Sequence, residues 1–265
     1  MIHYHVFPEG KKAAVTFSYD DGPQNDARLI DLFDQYGVKG TFHLNSRNYV
    51  NLSEEEQADI RKLYRNHEIS CHTLQHGWPA RMPVSSLVGE VMQDRQMLEK
   101  IARYPVQGMS YPYGDYNPET LNTLKACGIF YSRTTKATSS FHFPDDFLLW
   151  HPSCHHNGAW ELCELFERWI ERGWYPLFYI WGHSYEFRTE EDWSKMAQLL
   201  DRIARRDDVW YATNLEIYRY REAQKALMIS ADETMFYNPS AIPVWVEKDK
   251  DTIIRIPAGE LVRLT

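Results

Sequence analysis

The sequence predicts an α/β fold, either an α/β barrel or a parallel sheet covered by helices, followed by a small antiparallel β-appendage. Two observations carry this. Short apolar runs alternate about seven times with longer amphipathic stretches, the pattern of repeated strand–helix units. After residue 226 the alternation stops and only short β-like runs follow. The chain therefore divides into a main domain at 1–226 and the appendage at 227–265, which at about forty residues is too small for a confident core of its own and is expected to pack on the main domain.

The elements follow in order. Ala13 to Phe17 is a buried strand that ends at the turn signal Asp21-Gly22-Pro23. Asn25 to Tyr36 is helical and Gly37 stops it. Val38 to Leu44 is the second strand, Ser53 and Glu56 form a capping box for a helix running to about Asn66, and Glu68 to Cys71 is the third strand. A long helix covers Pro83 to Arg103, and Val106 to Ser110 is the fourth strand. Asn117 caps the next helix with Pro118 at its first position, and Gly128 closes it. Ile129 to Ser132 and Phe147 to Trp150 are the fifth and sixth strands. A helix from Gly158 to Arg172, the clear buried strand Leu177 to Trp181, a helix begun by Thr189, a strand at Val209 to Ala212 and a capping box at Thr213 and Glu216 complete the main domain. The tail has β-like runs at Leu227–Ser230, Pro243–Glu247, Thr252–Ile256 and Leu261–Leu264.

Composition narrows the partners. The net charge is −8 and no Lys/Arg run stands out, which argues against nucleic acid and anionic membranes. No apolar stretch reaches the roughly 18 residues of a membrane span. Met1 to Lys12 lacks the apolar core of a signal peptide, so a cytoplasmic location is expected unless a leader has been removed. Cys71, Cys127, Cys154 and Cys163 match neither a zinc knuckle nor a redox pair and are expected to be buried thiols. The sequence leaves the oligomeric state open.

In parallel α/β folds functional groups gather at strand exits. Four exits stand out. Asp20-Asp21-Gly22-Pro23 places two carboxylates side by side, a pairing that a cation or a shared proton would relieve, although a solvated turn accounts for it too. His72-Thr73-Leu74-Gln75-His76 has two histidines four apart, metal-ligand spacing if the segment forms a helical turn. It lacks the internal Glu of H-E-x-x-H, so any base must come from elsewhere. Ser110 to Asn117 contains a Pro-x-Gly turn able to aim backbone N–H groups into a cleft. Trp181 to Glu186 carries His183, a general-acid candidate or else a hydrogen-bonded core histidine.

Taken together, these motifs resemble the NodB-type polysaccharide deacetylases, carbohydrate esterase family four. The family's T-F-D-D-G-P is similar to Thr16 through Pro23, with two residues inserted. Its H-S/T-x-x-H is matched in full by His72 to His76, its R-x-P-Y-G in part by Ser110 to Gly114, and its last motif by Leu177 to His183. The likeness spans about Val15 to Thr213. It implies a distorted (β/α)7-type barrel. It also implies Asp20 as general base, Asp21, His72 and His76 as ligands of a divalent metal, His183 as general acid, and the Tyr113 N–H as an oxyanion donor. Zinc is the expected metal, with Co2+, Ni2+ or Mn2+ as substitutes. The implied substrate is an acetylated carbohydrate, most readily the N-acetyl groups of N-acetylglucosamine units. Tyr111, Pro112, Trp181, His155, His156 and Glu186 are expected to bind it.

The chain departs from the family in two places. Ser110 replaces the motif's Arg, and Arg133, at the next strand exit, is expected to supply the missing charge to Asp20. The family's Asp and Trp that orient the catalytic His have no assignable counterpart, although Asp145, Asp146 and Trp150 lie in the right region. Two alternatives stay open: a cyclic imide or allantoin amidohydrolase of the same fold, and a carbohydrate-binding homologue without catalysis.

Overall fold

The computed structural model describes residues 2–249 and 252–264; Met1, Lys250, Asp251 and Thr265 lie outside the described residues. In chain order the elements are β1 (Ile2–His3), β2 (Ala13–Asp20), α1 (Asp26–Tyr36), β3 (Gly40–Leu44), α2 (Glu54–Leu63), β4 (Glu68–Cys71), α3 (Val84–Ala102), β5 (Gly108–Ser110), α4 (Pro118–Ala126), β6 (Tyr131–Arg133), β7 (Cys154–His155), α5 (Ala159–Glu171), β8 (Leu177–His183), α6 (Glu190–Ile203), β9 (Val209–Tyr211) and α7 (Asn214–Lys225). The tail adds β10 (Met228–Ile229), β11 (Met235–Tyr237), β12 (Val244–Lys248), β13 (Thr252–Ile256) and β14 (Leu261–Arg263).

The main sheet is parallel and ordered β6-β5-β4-β3-β2-β8-β7, with β9 paired to the start of β2. All eight residues of β2 are buried, as expected of a central parallel strand with both faces covered. The sheet curls into a distorted barrel. Its open side is nearly closed by the stretch after α4: Trp150 bridges Arg133 on one edge, and Ser153 N–H donates to Tyr179 O near the other. The apolar faces of α1, α3, α5 and α6 complete the core through Phe33, Leu98, Phe166 and Leu200.

Three local expectations are corrected. Phe147–Leu149 is a 3-10 turn, not a strand, because the Asp146 carboxylate accepts from Leu148 N–H and pulls the chain round while Phe147 and Trp150 turn into an aromatic cluster. His72 to His76 is an irregular loop rather than a helical turn; Thr73 and His76 both have positive φ (62° and 56°), and Leu74 N–H is held by Glu90 O of α3. Cys154–His155, given no strand in the sequence analysis, pairs with β8. All four cysteines are buried and free.

The tail forms two three-stranded sheets, β1-β12-β13 and β10-β11-β14, around Phe236, Val246 and Ile256. Two strands of this unit were not anticipated: β11, and β1 from the other end of the chain. It is fastened to the barrel by the Tyr220 hydroxyl, which donates to Val6 O and accepts from Trp245 N–H, and by the Tyr175 hydroxyl on Glu247 (2.6 Å). Among the described residues no helix is long and apolar enough to cross a membrane.

Inside the barrel, Glu68 at the start of β4 is buried and accepts from the Tyr131 and Thr41 hydroxyls and from Leu215 N–H, joining β3, β4, β6 and α7. Burial pushes its carboxyl up to about 7 from an ordinary 4.5, against those three donors. Between these values the folded chain holds a proton that the unfolded chain has released, so this group's contribution falls as pH rises through the window. Glu68→Gln is expected to remove that slope. The unfolding free energy of wild type relative to the variant should drop by up to about 3 kcal/mol between pH 4.5 and pH 7.5 in urea titrations, and a pH-independent difference would contradict it.

Candidate active site

Sheet register brings the predicted residues to one end of the barrel. Asp20, the last residue of β2, pairs with His43 of β3 and His183 of β8. Ser110 and Arg133 are partners on β5 and β6, and His72 follows directly on β4. Six polar side chains thus share the C-terminal rim, where each strand gives way to a loop.

Asp20 is the centre of charge. It is 3% exposed, and so would be costly without partners. Its Oδ2 accepts from Arg133 Nη2, and its Oδ1 accepts from the Ser110 hydroxyl at 2.9 Å. Burial pushes this carboxyl up, but the Arg133 guanidinium, aided by His72 and His43, outweighs it and holds the group well below the usual carboxylate range. Arg133 is itself wholly buried. Its Nε donates to Ser18 Oγ (3.2 Å), its Nη1 to Thr134 O (3.1 Å), and its plane lies over Trp181 at 4.3 Å. Each of the three guanidinium nitrogens thus has a hydrogen-bond partner, as a buried arginine needs.

Ser110, which looked in the sequence like a lost arginine, has a position of its own. Besides donating to Asp20, its hydroxyl stands 2.7 Å from His72 Nδ1, and its carbonyl lies 2.9 Å from the same nitrogen. The Nδ1–H of His72 donates to this pair, which leaves the Nε2 lone pair pointing out. Burial keeps His72 neutral by lowering its pKa. A neutral imidazole with a free Nε2 is the form that binds metal.

That Nε2 lies 3.6 Å from Asp21 Oδ1, and His76 Nε2 lies 3.3 Å from the same oxygen. The three ligand atoms fall within 4.8 Å of one another. Ligands around a tetrahedral zinc with bonds of about 2.0 Å stand about 3.3 Å apart, so the donor set and its spacing suit a divalent ion. Asp21 (φ 72°), Thr73 and His76 all hold left-handed backbone conformations, and Asn45 Nδ2 clamps the loop through His72 O and Thr73 O. Strain of this kind persists where surrounding bonds over-determine it.

His183 is one-fifth exposed, its ring stacked on Tyr185. Its Nε2 faces Asp21 Oδ2 at 3.9 Å and its Nδ1 faces Glu186 Oε2 at 3.4 Å. Burial lowers its pKa, but the Glu186 carboxylate, with Asp20 and Asp21, outweighs this and raises it. Tyr113 sits in the turn at Pro112–Gly114 with φ 59°. Its half-exposed ring stacks on Trp78 (centroids 3.8 Å, 11°) and meets the His76 ring edge-on at 4.5 Å.

Several expected substrate contacts are corrected. Tyr111 is fully buried and spends its hydroxyl on Leu148 O. Pro112 is buried in the turn. His156 is 8% exposed, stacked on Phe187 and 3.3 Å from the Tyr19 hydroxyl, so it is a wall of the core. Trp181, His155 and Glu186 remain partly open at the rim, and Trp181 spends one ring face on Arg133. Asp146 caps the turn before Trp150, which is buried, and Asp145 lines a separate hollow with His142 and His151; none of the three orients His183.

The sequence reading missed three supports. Asp94 of α3 accepts from Ser46 N–H (2.8 Å) and His72 N–H (3.0 Å), fixing the loop that carries both histidines. Its signal was present: an acid on the apolar stripe Leu87, Val91, Asp94, Leu98. Asn45 and Trp78 gave none, since polar and aromatic residues in loops are common.

Residues 8–132 match the profile of the family described as polysaccharide deacetylase. A chitin deacetylase from Pestalotiopsis sp is 28% identical over 130 residues, 49% of this chain and 44% of the relative. A peptidoglycan-N-acetylglucosamine deacetylase from Bacillus cereus is 29% identical over 108 residues, 39% of this chain and 38% of the relative. The chain thus spans less than half the length of these relatives. Among solved structures, a Mycobacterium smegmatis protein assigned to the polysaccharide deacetylases superposes with a TM-score of 0.62 at 20% identity, over 83% of this chain and 93% of the other. The PuuE allantoinase does so with 0.63 at 12% identity, over 82% and 92%. Residues 8–132, just under half of the chain, thus resemble the polysaccharide deacetylase family, and the barrel built around them has the fold of these solved structures.

Proposed function

We propose that this chain is a metal-dependent deacetylase that hydrolyses acetyl groups, foremost the N-acetyl groups of N-acetylglucosamine-type units, on an oligo- or polysaccharide. The observation that carries the reading is the pairing of an anionic, arginine-held Asp20 with the Asp21–His72–His76 donor set at one strand rim. A divalent ion such as zinc held by those three residues would polarise an acetyl carbonyl and acidify the attacking water, which compensates for the weak basicity of so stabilised a carboxylate.

The chain's own groups then have distinct tasks. Asp20 takes the water's proton; Arg133 and Ser110 keep it ionised and aimed. The Tyr113 N–H faces the developing oxyanion. His183, whose Nδ1 faces the Glu186 carboxylate at 3.4 Å, gives a proton from Nε2 to the leaving nitrogen. Trp78 and Tyr113, stacked and partly exposed beside His76, offer an aromatic face to a sugar ring.

Acetate release from N-acetylglucosamine oligomers tests the reading. Wild type should release acetate, and Asp20→Asn should lower kcat by at least about 100-fold. Turnover of allantoin in place of acetylated sugars would favour an amidohydrolase, and metal uptake with no turnover of either would favour a binding protein. Trp78→Ala is expected to raise KM several-fold with kcat little changed; an equal fall in kcat would place the ring in the chemistry. Arg133→Met should cost about 3 kcal/mol in chemical denaturation by leaving Asp20 buried and unpaired, and adding Asp20→Asn should recover much of that loss. A simple sum of the two effects would show that the charges are not coupled.

A further inference from the structure

A second cluster of metal-binding side chains lies beside the first. His155 on β7 and His183 and Glu186 at the exit of β8 bring three ligand atoms within 4.8 Å of one another. Glu186 Oε2 is the focus. His155 Nε2 lies 2.9 Å from it, His183 Nδ1 3.4 Å and His156 Nε2 3.6 Å, and the His183 N–H donates to it at 3.0 Å. Four nitrogens thus converge on one oxygen, more than its lone pairs can serve. The geometry shows which is left over: His183 Nδ1 is buried and makes no hydrogen bond, although it points towards the carboxylate.

In the tautomer with its proton on Nε2, His183 turns an Nδ1 lone pair towards this anion across 3.4 Å, an arrangement that a positive centre between them would relieve. The separations of 2.9 and 3.4 Å from the carboxylate oxygen bracket the roughly 3.3 Å expected between ligands on a tetrahedral ion. The side chains of His155 and Glu186 are 27% and 29% exposed, so a cation has a path in and room for water as its remaining ligand. Two imidazoles and one carboxylate are also the donor chemistry of the Asp21–His72–His76 set.

We infer that His155, His183 and Glu186 form a second divalent-cation site, of the zinc or cobalt class, adjoining the first through the two nitrogens of His183. His183 Nε2 faces Asp21 while its Nδ1 faces Glu186, so the ring stands between the two donor sets. Binding at Nδ1 leaves the ring's proton on Nε2. His155 must also present a bare Nε2; its proton moves to Nδ1, at the expense of a 3.4 Å contact from Asn157 N–H. Existence of the site does not depend on the deacetylase reading. Its consequence does: a cation on Nδ1 removes the position where Glu186 supports an imidazolium, so His183 loses its capacity to cycle a proton.

Equilibrium dialysis of the full chain against Zn2+ and against Co2+ tests this. Wild type should take up two equivalents. His155→Gln, and independently Glu186→Gln, should take up one. Asp21→Asn/His76→Gln should also take up one, and adding His155→Gln to that pair should take it to none. A wild-type stoichiometry of one that is lost with Asp21→Asn/His76→Gln overturns the second site and leaves the first intact. A stoichiometry of one lost with His155→Gln but kept in Asp21→Asn/His76→Gln overturns the first and leaves the second. Acetate release should fall as the second equivalent loads; undiminished release would overturn the assigned effect on His183.

Discussion

The buried contact between Asp20 and Arg133 governs how this rim is built. Neither group tolerates the interior alone, since an unpaired charge in a water-free site costs several kcal/mol. Together they still leave donors and acceptors to satisfy, and the fold supplies them from four strands: Ser18 from β2, Ser110 from β5, the Thr134 carbonyl after β6, and the Trp181 ring from β8. Ser18, Ser110 and Trp181 are each fixed by parallel pairing to a neighbouring strand. The register of the sheet is therefore coupled to the charge state of one carboxylate. A slip of one residue in β6 would turn Arg133 to the other face and strand Asp20.

This coupling explains how the site absorbs its departure from the family pattern. A guanidinium reaching Asp20 from β5 could not coexist with a small hydroxyl there. With Ser110 on β5 the space passes to Arg133 on the adjacent strand, one rung across. The hydroxyl then does something an arginine cannot: it donates to Asp20 while its oxygen and the residue's carbonyl both receive His72 Nδ1–H. The candidate base and a candidate metal ligand are thereby held by one residue, so the orientation of each depends on the other.

Much of this was legible in the sequence, and the boundary has a physical origin. Strands such as β2 and β8 announce themselves by continuous apolar runs, and helices by caps such as Ser53–Glu56 and Asn117 with Pro118. Arg133 was legible because strand exits converge whatever the loops do. The path of a loop was not. His72 and His76 were expected on a helical turn, yet they meet through two positive-φ residues, stabilised by Asp94 and Glu90 from a helix that follows in the chain. Nor does spacing report burial, which is why Tyr111 and His156, polar-tipped residues in promising motifs, proved to be core. The pairing of β1 with β12 joins opposite ends of the chain, and no local pattern encodes it.

Left-handed residues cluster around the rim. Asp21, Thr73, His76 and Tyr113 are all non-glycine positions at positive φ; Asp21 and His76 are candidate metal ligands, Thr73 follows His72, and the Tyr113 ring meets that of His76. Such conformations cost of order 1 kcal/mol or more each. Relaxing any of them would let the local backbone settle but would swing a carboxylate or imidazole out of reach of its neighbours. The rigid sheet offsets that cost through the hydrogen bonds of Asp20, Asn45 and Asp94, which bind loop to strand and loop to helix. The stability of the barrel is thus spent at its rim on holding two imidazole nitrogens 3.3 and 3.6 Å from one Asp21 oxygen, close to the ligand spacing of a tetrahedral ion.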